Sequence, residues 1–193
     1  MKSFVNCSRV RLKEVYNELE VIIMAVEKAY YKAIIKDGNF EVRLYDQMIV
    51  AVNKGNDLKG TSGFNQLFNY ISGNNKESKK IAMTAPVLNN LGNKDSNIAF
   101  VMPKEYTMEE LPQPLHSELE LKQIPERYVA TISFSGNISK EVIEKKKLAL
   151  ENWLKEKQIT AIGSVELARY NPPFIPGIFK KNELLLEINF SVE

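Results

Sequence analysis

Lys79–Leu88 reads K-K-I-A-M-T-A-P-V-L and lies between turn formers, with Asn74 and Asn75 before it and Asn89, Asn90 and Gly92 after it. A short apolar run with β-branched Ile81, Thr84 and Val87, bounded in this way, predicts a buried strand. Pro86 has no N–H to give to a ladder, so the strand must bulge or end there. A strand with a fixed stopping point inside a core is a landmark around which the neighbouring elements can be placed.

Upstream, Tyr30 to Lys36 predicts a strand with Asp37-Gly38 as its turn, followed by strands over Phe40–Asp46 and Met48–Asn53. Thr61 or Ser62 can cap a helix. Its residues Phe64, Leu67, Phe68 and Ile71 fall at i, i+3, i+4 and i+7, on one face, and Gly73 stops it. Downstream, Asn97–Met102 predicts the partner of the landmark strand. The loop 104–117 contains Pro112 and Pro114, and Glu118–Ile124 with Arg127–Phe134 predicts another strand pair. Ser139 caps a second helix to about Lys157, with Ile143, Leu150 and Leu154, together with Val142, Ala149 and Trp153, in its apolar stripe. Ser164–Tyr170 and Glu183–Phe190 predict the closing strands, the latter by alternation of Leu184, Leu186, Ile188 and Phe190. At the start of the chain, Leu12, Val15, Leu19, Ile22, Ile23 and Val26 predict an N-terminal helix over residues 9–24.

The pattern repeats. Phe40-Glu41-Val42-Arg43 with Val50-Ala51 matches Leu119-Glu120-Leu121-Lys122 with Val129-Ala130, each pair preceding a helix. Thr84-Ala85-Pro86-Val87 then matches Asn171-Pro172-Pro173-Phe174, each followed by a closing strand. A ββαββ unit used twice predicts an α+β fold with pseudo-two-fold symmetry and a groove between the halves. The 193 residues suit one domain, 1–193, with residues 1–25 as an N-terminal extension and 26–193 as the core.

Composition narrows the function. Net charge is +2, from 26 basic and 24 acidic residues, so no one-signed field points to nucleic acid. Lys145-Lys146-Lys147 lies among Glu141, Glu144 and Glu151 and reads as a solvated face. No apolar run approaches the ~20 residues of a membrane helix, and Arg9, Arg11, Lys13 and Glu14 interrupt any signal-peptide core. No membrane partner is expected. A single cysteine, Cys7, forms no internal disulfide and fits a cytoplasmic location. A single histidine, His116, excludes a multi-histidine metal site, and no nucleophile–base pair argues for an enzyme.

Several of these segments also carry a resemblance. Ile81-Ala82-Met83-Thr84-Ala85-Pro86-Val87 resembles the signature of the SOUL haem-binding protein family. Phe40-Glu41-Val42-Arg43-Leu44-Tyr45 resembles its entry strand, Phe64–Gly73 its first helix, and Tyr170-Asn171-Pro172-Pro173 with Asn182-Glu183 its closing segment. The resemblance runs from about Val26 to Phe190. It implies a distorted antiparallel β-barrel flanked by two helices, similar also to the effector-binding domains of drug-responsive regulators.

The implied function is non-enzymatic binding of haem, another tetrapyrrole or a similar flat apolar ligand in a groove beside the first core helix. The implied lining is Phe64, Leu67, Phe68, Ile71, Met83 and Tyr170. Leu44 stands where some members carry a proposed axial histidine, and Thr61 where others carry a basic residue, so haem contact here is apolar and weak. Met48 and Met102 are further candidate neighbours. The alternative is an effector-type small-molecule sensor or protein-interaction module that has lost haem binding. In that reading Glu183 is the acidic ligand-binding candidate, a carboxylate that in an apolar groove attracts a cation or raises its own pKa; the alternative for it is an ion pair at a strand end.

Overall fold

A computed structural model describes residues 26–54, 61–92, 97–172 and 174–191. The order is β1 (Glu27–Lys28), β2 (Tyr31–Asp37), β3 (Phe40–Tyr45), β4 (Met48–Lys54), α1 (Thr61–Ile71), β5 (Thr84–Ala85), β6 (Val87–Asn90) and β7 (Asn97–Val101). Then come β8 (Leu119–Ile124), β9 (Arg127–Ser135), α2 (Lys140–Glu156), β10 (Thr160–Ala161), β11 (Glu166–Arg169) and β12 (Lys181–Asn189), the last preceded by a 3-10 turn, Gly177–Phe179. The expected N-terminal helix lies outside the described residues.

The fold is α+β, with one antiparallel sheet curled into a half-barrel and two helices against it. Its strands run β2-β3-β9-β12-β11-β6-β7-β4-β8, with β10 pairing off β12. Alternation along each strand sends side chains to opposite faces. On the outer face, Val42, Ala130, Ile132, Leu184 and Leu186 pack under Ile143, Leu150, Trp153 and Leu154 of α2. Farther along, Ala51, Val87, Ile98 and Phe100 pack under Leu67, Tyr70 and Ile71 of α1. On the inner face, Tyr45, Val50, Val52, Leu88, Ala99, Val101, Val129, Ala168 and Leu185 form a third apolar cluster.

Local chemistry accounts for the element ends. Gly38 takes φ 60° in the two-residue turn between β2 and β3, a conformation that glycine adopts without strain. Ser139 caps α2 by accepting from the Val142 N–H at 3.3 Å. Trp153 stacks on Phe40 at 5.2 Å and donates from Nε1 to Asp37 at 2.9 Å, tying α2 to the first hairpin.

The landmark stretch differs from the single strand expected of it. Residues 79–83 are not strand, and the ladder begins only at Thr84, breaks at Pro86 and resumes at Val87. Ile81 is held instead by its N–H to the Ile71 carbonyl at 2.8 Å, which buries it beneath the end of α1. Thr84 and Ala85 pair in parallel with Glu27 and Lys28, a two-residue contact too short to leave a sequence period. The closing strand also exceeds its expected one-sided pattern: Glu183 and Leu185 are as buried as Leu184 and Leu186, because β12 sits between β9 and β11 with both its faces covered.

Candidate functional site

The expected lining residues divide between two places. Phe64, Leu67, Phe68, Ile71 and Met83 gather around α1, whereas Tyr170 belongs to the inner face of the sheet, beside Glu183.

On α1 the helical period assigns different work to neighbouring positions. Leu67 and Ile71 point into the core and are almost wholly covered, with Met83 partly buried against the same cluster. Phe64 is half-buried and meets Phe100 edge-on, with ring centroids 5.1 Å apart at 65°. Phe68, one turn on, is 48% exposed, and its ring lies nearly parallel to that of Phe64, 6.2 Å away at 9°. The result is an apolar, flat, partly open surface on the outside of the molecule, rooted in the core through Phe64. Offset parallel rings are a preferred aromatic arrangement, and such a surface offers a π-face to a planar ligand. Beside it, Gln66 accepts a hydrogen bond from Asn53 of β4.

The inner-face site is polar and full. β3 brings Glu41, Arg43 and Tyr45 to one face by alternation, and β9 and β12 bring Ser133, Lys181 and Glu183. Glu183 has no exposed surface, and Arg43 is 2% exposed. Arg43 donates from Nη1 to Glu183 Oε2 at 2.7 Å and from Nη2 to Oε1 at 3.0 Å, a two-pronged pair. Tyr170 donates its hydroxyl to Oε2 at 2.6 Å, Ser133 donates to Oε1 at 2.9 Å, and Lys181 Nζ stands 3.0 Å from Oε1. Arg43 also donates from Nε to Glu41 at 2.6 Å and lies 4.2 Å from the centroid of the Tyr31 ring. Burial pushes the Glu183 carboxyl up, but the Arg43 hydrogen bonds and charge, with Tyr170 and Lys181, outweigh it and hold the pKa at about 2. Burial pushes the Tyr45 hydroxyl up, to about 12, and that of Tyr170 well above the usual phenol range.

This carboxylate is therefore ionised, and its acceptor positions are filled by the protein's own donors. Ser133 and Lys181 beside Glu183, and Tyr31 and Tyr45 beside Arg43, whose Nη1 donates to the Tyr45 hydroxyl at 3.2 Å, are the neighbours of this pair that the sequence reading missed. The alternation of Phe40-Glu41-Val42-Arg43-Leu44-Tyr45 was a usable signal for Tyr45, since it places Glu41, Arg43 and Tyr45 together. The lysine, serine and second tyrosine depend on cross-strand register, which the sequence does not print.

The remaining candidates are dispersed. Leu44 is half-buried on β3, opposite Lys32 and Tyr128. His116 is exposed in the loop before β8. Cys7 lies outside the described residues, and among those residues no cluster of His, Cys, Asp or Glu could hold a metal. Met48 and Met102 line a separate cavity of about 220 Å³ with Val101, Tyr106, Lys104 and Asp46. That is below the ~300–1,000 Å³ of ordinary small-molecule pockets. No helix among the described residues is long and apolar enough to cross a membrane.

Comparison with known proteins bears on both places. A family model described as SOUL heme-binding protein matches residues 26–187. No protein with a curated description matches the sequence. Among solved structures, the C-terminal domain of EcmrR superposes with a TM-score of 0.58 at 10% identity, covering 83% of this chain and 99% of that one. A conserved protein of uncharacterised function from Listeria innocua gives 0.57 at 14% identity, covering 78% and 92%. A hydrolase from Listeria innocua gives 0.55 at 11%, covering 88% and 97%. At such identities the likeness is one of fold alone.

Proposed function

We propose, from the premise that this chain belongs to the SOUL heme-binding protein family, that it is a non-enzymatic binding protein for a flat apolar ligand of the tetrapyrrole class, held against the outer face of α1. The observation that carries this reading is the parallel Phe64–Phe68 ring pair, with Phe68 48% exposed while its helix neighbours Leu67 and Ile71 are committed to the core. Stacking a macrocycle on Phe68 removes apolar area from water on both partners, and each fully covered aromatic ring contributes ~1.5–3 kcal/mol.

The residues present fit the ring of a haem and offer its iron no histidine. Phe64 and Phe68 offer a π-face, whereas Leu44 cannot ligate and His116 is out on the loop before β8. Recognition in this reading is therefore of the planar macrocycle, and iron adds nothing to it. We read the chain as one domain, with its two strand–helix halves as copies of one unit.

The alternative, an effector-type sensor that meets a cationic ligand at Glu183, is weaker on this geometry. Arg43 already occupies the position that a ligand cation would take.

The test is a titration of the protein with haem and, separately, with iron-free protoporphyrin, followed by absorption and fluorescence, with Phe68→Asp beside the parent chain. Saturable one-to-one binding of both compounds with similar affinity, lost in a folded Phe68→Asp, is the expected result. Signals that fail to saturate, that ignore the substitution, or that require iron would overturn the reading.

A further inference from the structure

The most exposed large apolar side chains of the described protein lie on the loop between β11 and β12. Ile178 is 75% exposed and Phe174 72%, and Phe179 next to them is 52% exposed. Lone exposed apolar residues are ordinary on protein surfaces, but a group of them on one short loop is not.

The described residues of this loop are tied down by hydrogen bonds. Ile175, adjacent to Phe174, is turned inward and only 4% exposed. Its N–H donates to the Pro172 carbonyl at 3.2 Å, the Phe179 N–H to the Pro176 carbonyl at 2.9 Å, and the Lys180 N–H to the Gly177 carbonyl at 3.0 Å. The Lys181 N–H donates to the Asn171 side chain at 2.6 Å, closing the base of the loop. Gly177 packs so tightly on Asn137 that an added Cβ would stand 2.6 Å from its Oδ1. The turn that buries Ile175 is therefore the same turn that holds Phe174 and Ile178 out in water.

Along the sequence the charges that flank the tip have one sign. Between Glu166 and Glu183 the sequence holds Arg169, Lys180 and Lys181 and no acidic residue. Lys181 is taken up by Glu183, whereas Arg169 has its Nε buried without a hydrogen-bond partner.

We infer that this loop is a docking tip for an anionic lipid surface, with Phe174 and Ile178 entering the headgroup–acyl boundary and Lys180 facing the phosphates. Side chains that stand three-quarters in solvent form a projection, and a bilayer receives an apolar projection without needing a matching cavity. Lys180 at its base adds attraction to anionic headgroups. The docking is peripheral, so it is independent of any membrane-spanning segment. The sequence-based expectation of no membrane partner considered only spanning runs.

Cosedimentation of the full chain with vesicles of phosphatidylcholine alone, or of phosphatidylcholine containing phosphatidylserine, tests this. The parent chain should bind the anionic vesicles, less so as salt rises, and leave the neutral ones largely unoccupied. Phe174→Ser and Ile178→Ser should each lower partitioning by about tenfold, since burying a large apolar side chain is worth about that factor or more. Lys180→Glu should weaken anionic binding alone. Phe174 and Ile178 stand in solvent and Lys180 is half-buried, so thermal unfolding should change little and will show whether each variant is folded. No binding, or equal binding by parent and both loop variants, would overturn the inference. So would a concentration-dependent dimer abolished by Phe174→Ser, which would assign the tip to a second copy of the chain.

Discussion

Inside the curled sheet, Glu183 has no exposed surface and every acceptor position is met by Arg43, Tyr170, Ser133 or Lys181. On the outside, Phe68 keeps nearly half its surface in water and lies parallel to Phe64. The first residue looks more like a functional group, being a charged side chain in an apolar protein. The difference shows why chemistry alone misleads. A buried charge whose partners are all internal holds strands together, and what remains available to a ligand is surface that the fold has left uncovered.

The contrast can be broken most forcefully at Glu183. Glu183→Gln leaves Arg43 buried beside a neutral partner and should cost ~3–5 kcal/mol, read by urea unfolding, with porphyrin affinity unchanged. Replacing the pair together, with Arg43→Met and Glu183→Leu, should recover part of that loss, because no fully buried charge remains and only the partly exposed Glu41 loses its Arg43 partner. A variant that stays fully stable but loses ligand would reverse the assignment of roles.

Leu67→Ala comes next. Leu67 shares a helix with Phe68 yet is fully buried, so the truncation should destabilise by ~2–5 kcal/mol. Phe68→Asp, one residue along, should change stability by only about 0.5 kcal/mol while abolishing porphyrin binding. Similar stability losses at both positions would mean that α1 presents no distinct outer face.

Acid sharpens the comparison from another side. The Glu183 carboxyl has a pKa of about 2 when folded against an ordinary 4.5, so the unfolded chain takes up its proton first. Its contribution to stability is complete above about pH 4.5 and is lost as the pH falls through about 2. Urea midpoints measured down this range should fall more steeply for the parent than for Glu183→Gln, and parallel slopes would remove Glu183 as the cause. An effect confined to stability and remote from both places is expected at Ser139: Ser139→Ala should cost ~1 kcal/mol through the lost cap of α2.

Most of the architecture was legible because it rests on period and punctuation. The i, i+3, i+4, i+7 spacing of α1, the Gly38 turn and the Ser139 cap are local signals, and the strands of the curled sheet follow from short runs between turn formers. What stayed hidden is non-local. That Lys79–Met83 leaves the sheet is decided by the seat of Ile81 under α1, and that β12 is covered on both faces is decided by its neighbours. The site followed the same rule. The sequence proposed one apolar lining that included both Phe64 and Tyr170, but α1 and the inner face of the sheet are separated by the sheet itself. Arg43 and Glu183 were each notable in sequence, and their contact is a matter of register through β9.

β12 has a consequence for how the chain is made. Among the described residues it comes latest in chain order, yet it lies near the middle of the sheet and links β2-β3-β9 on one side to β11-β6-β7-β4-β8 on the other. A ribosome therefore delivers β12 after the described strands of both flanking part-sheets have emerged. Until then β9 and β11 each present an open edge with unpaired backbone groups, which is where a nascent chain pairs wrongly or recruits a chaperone.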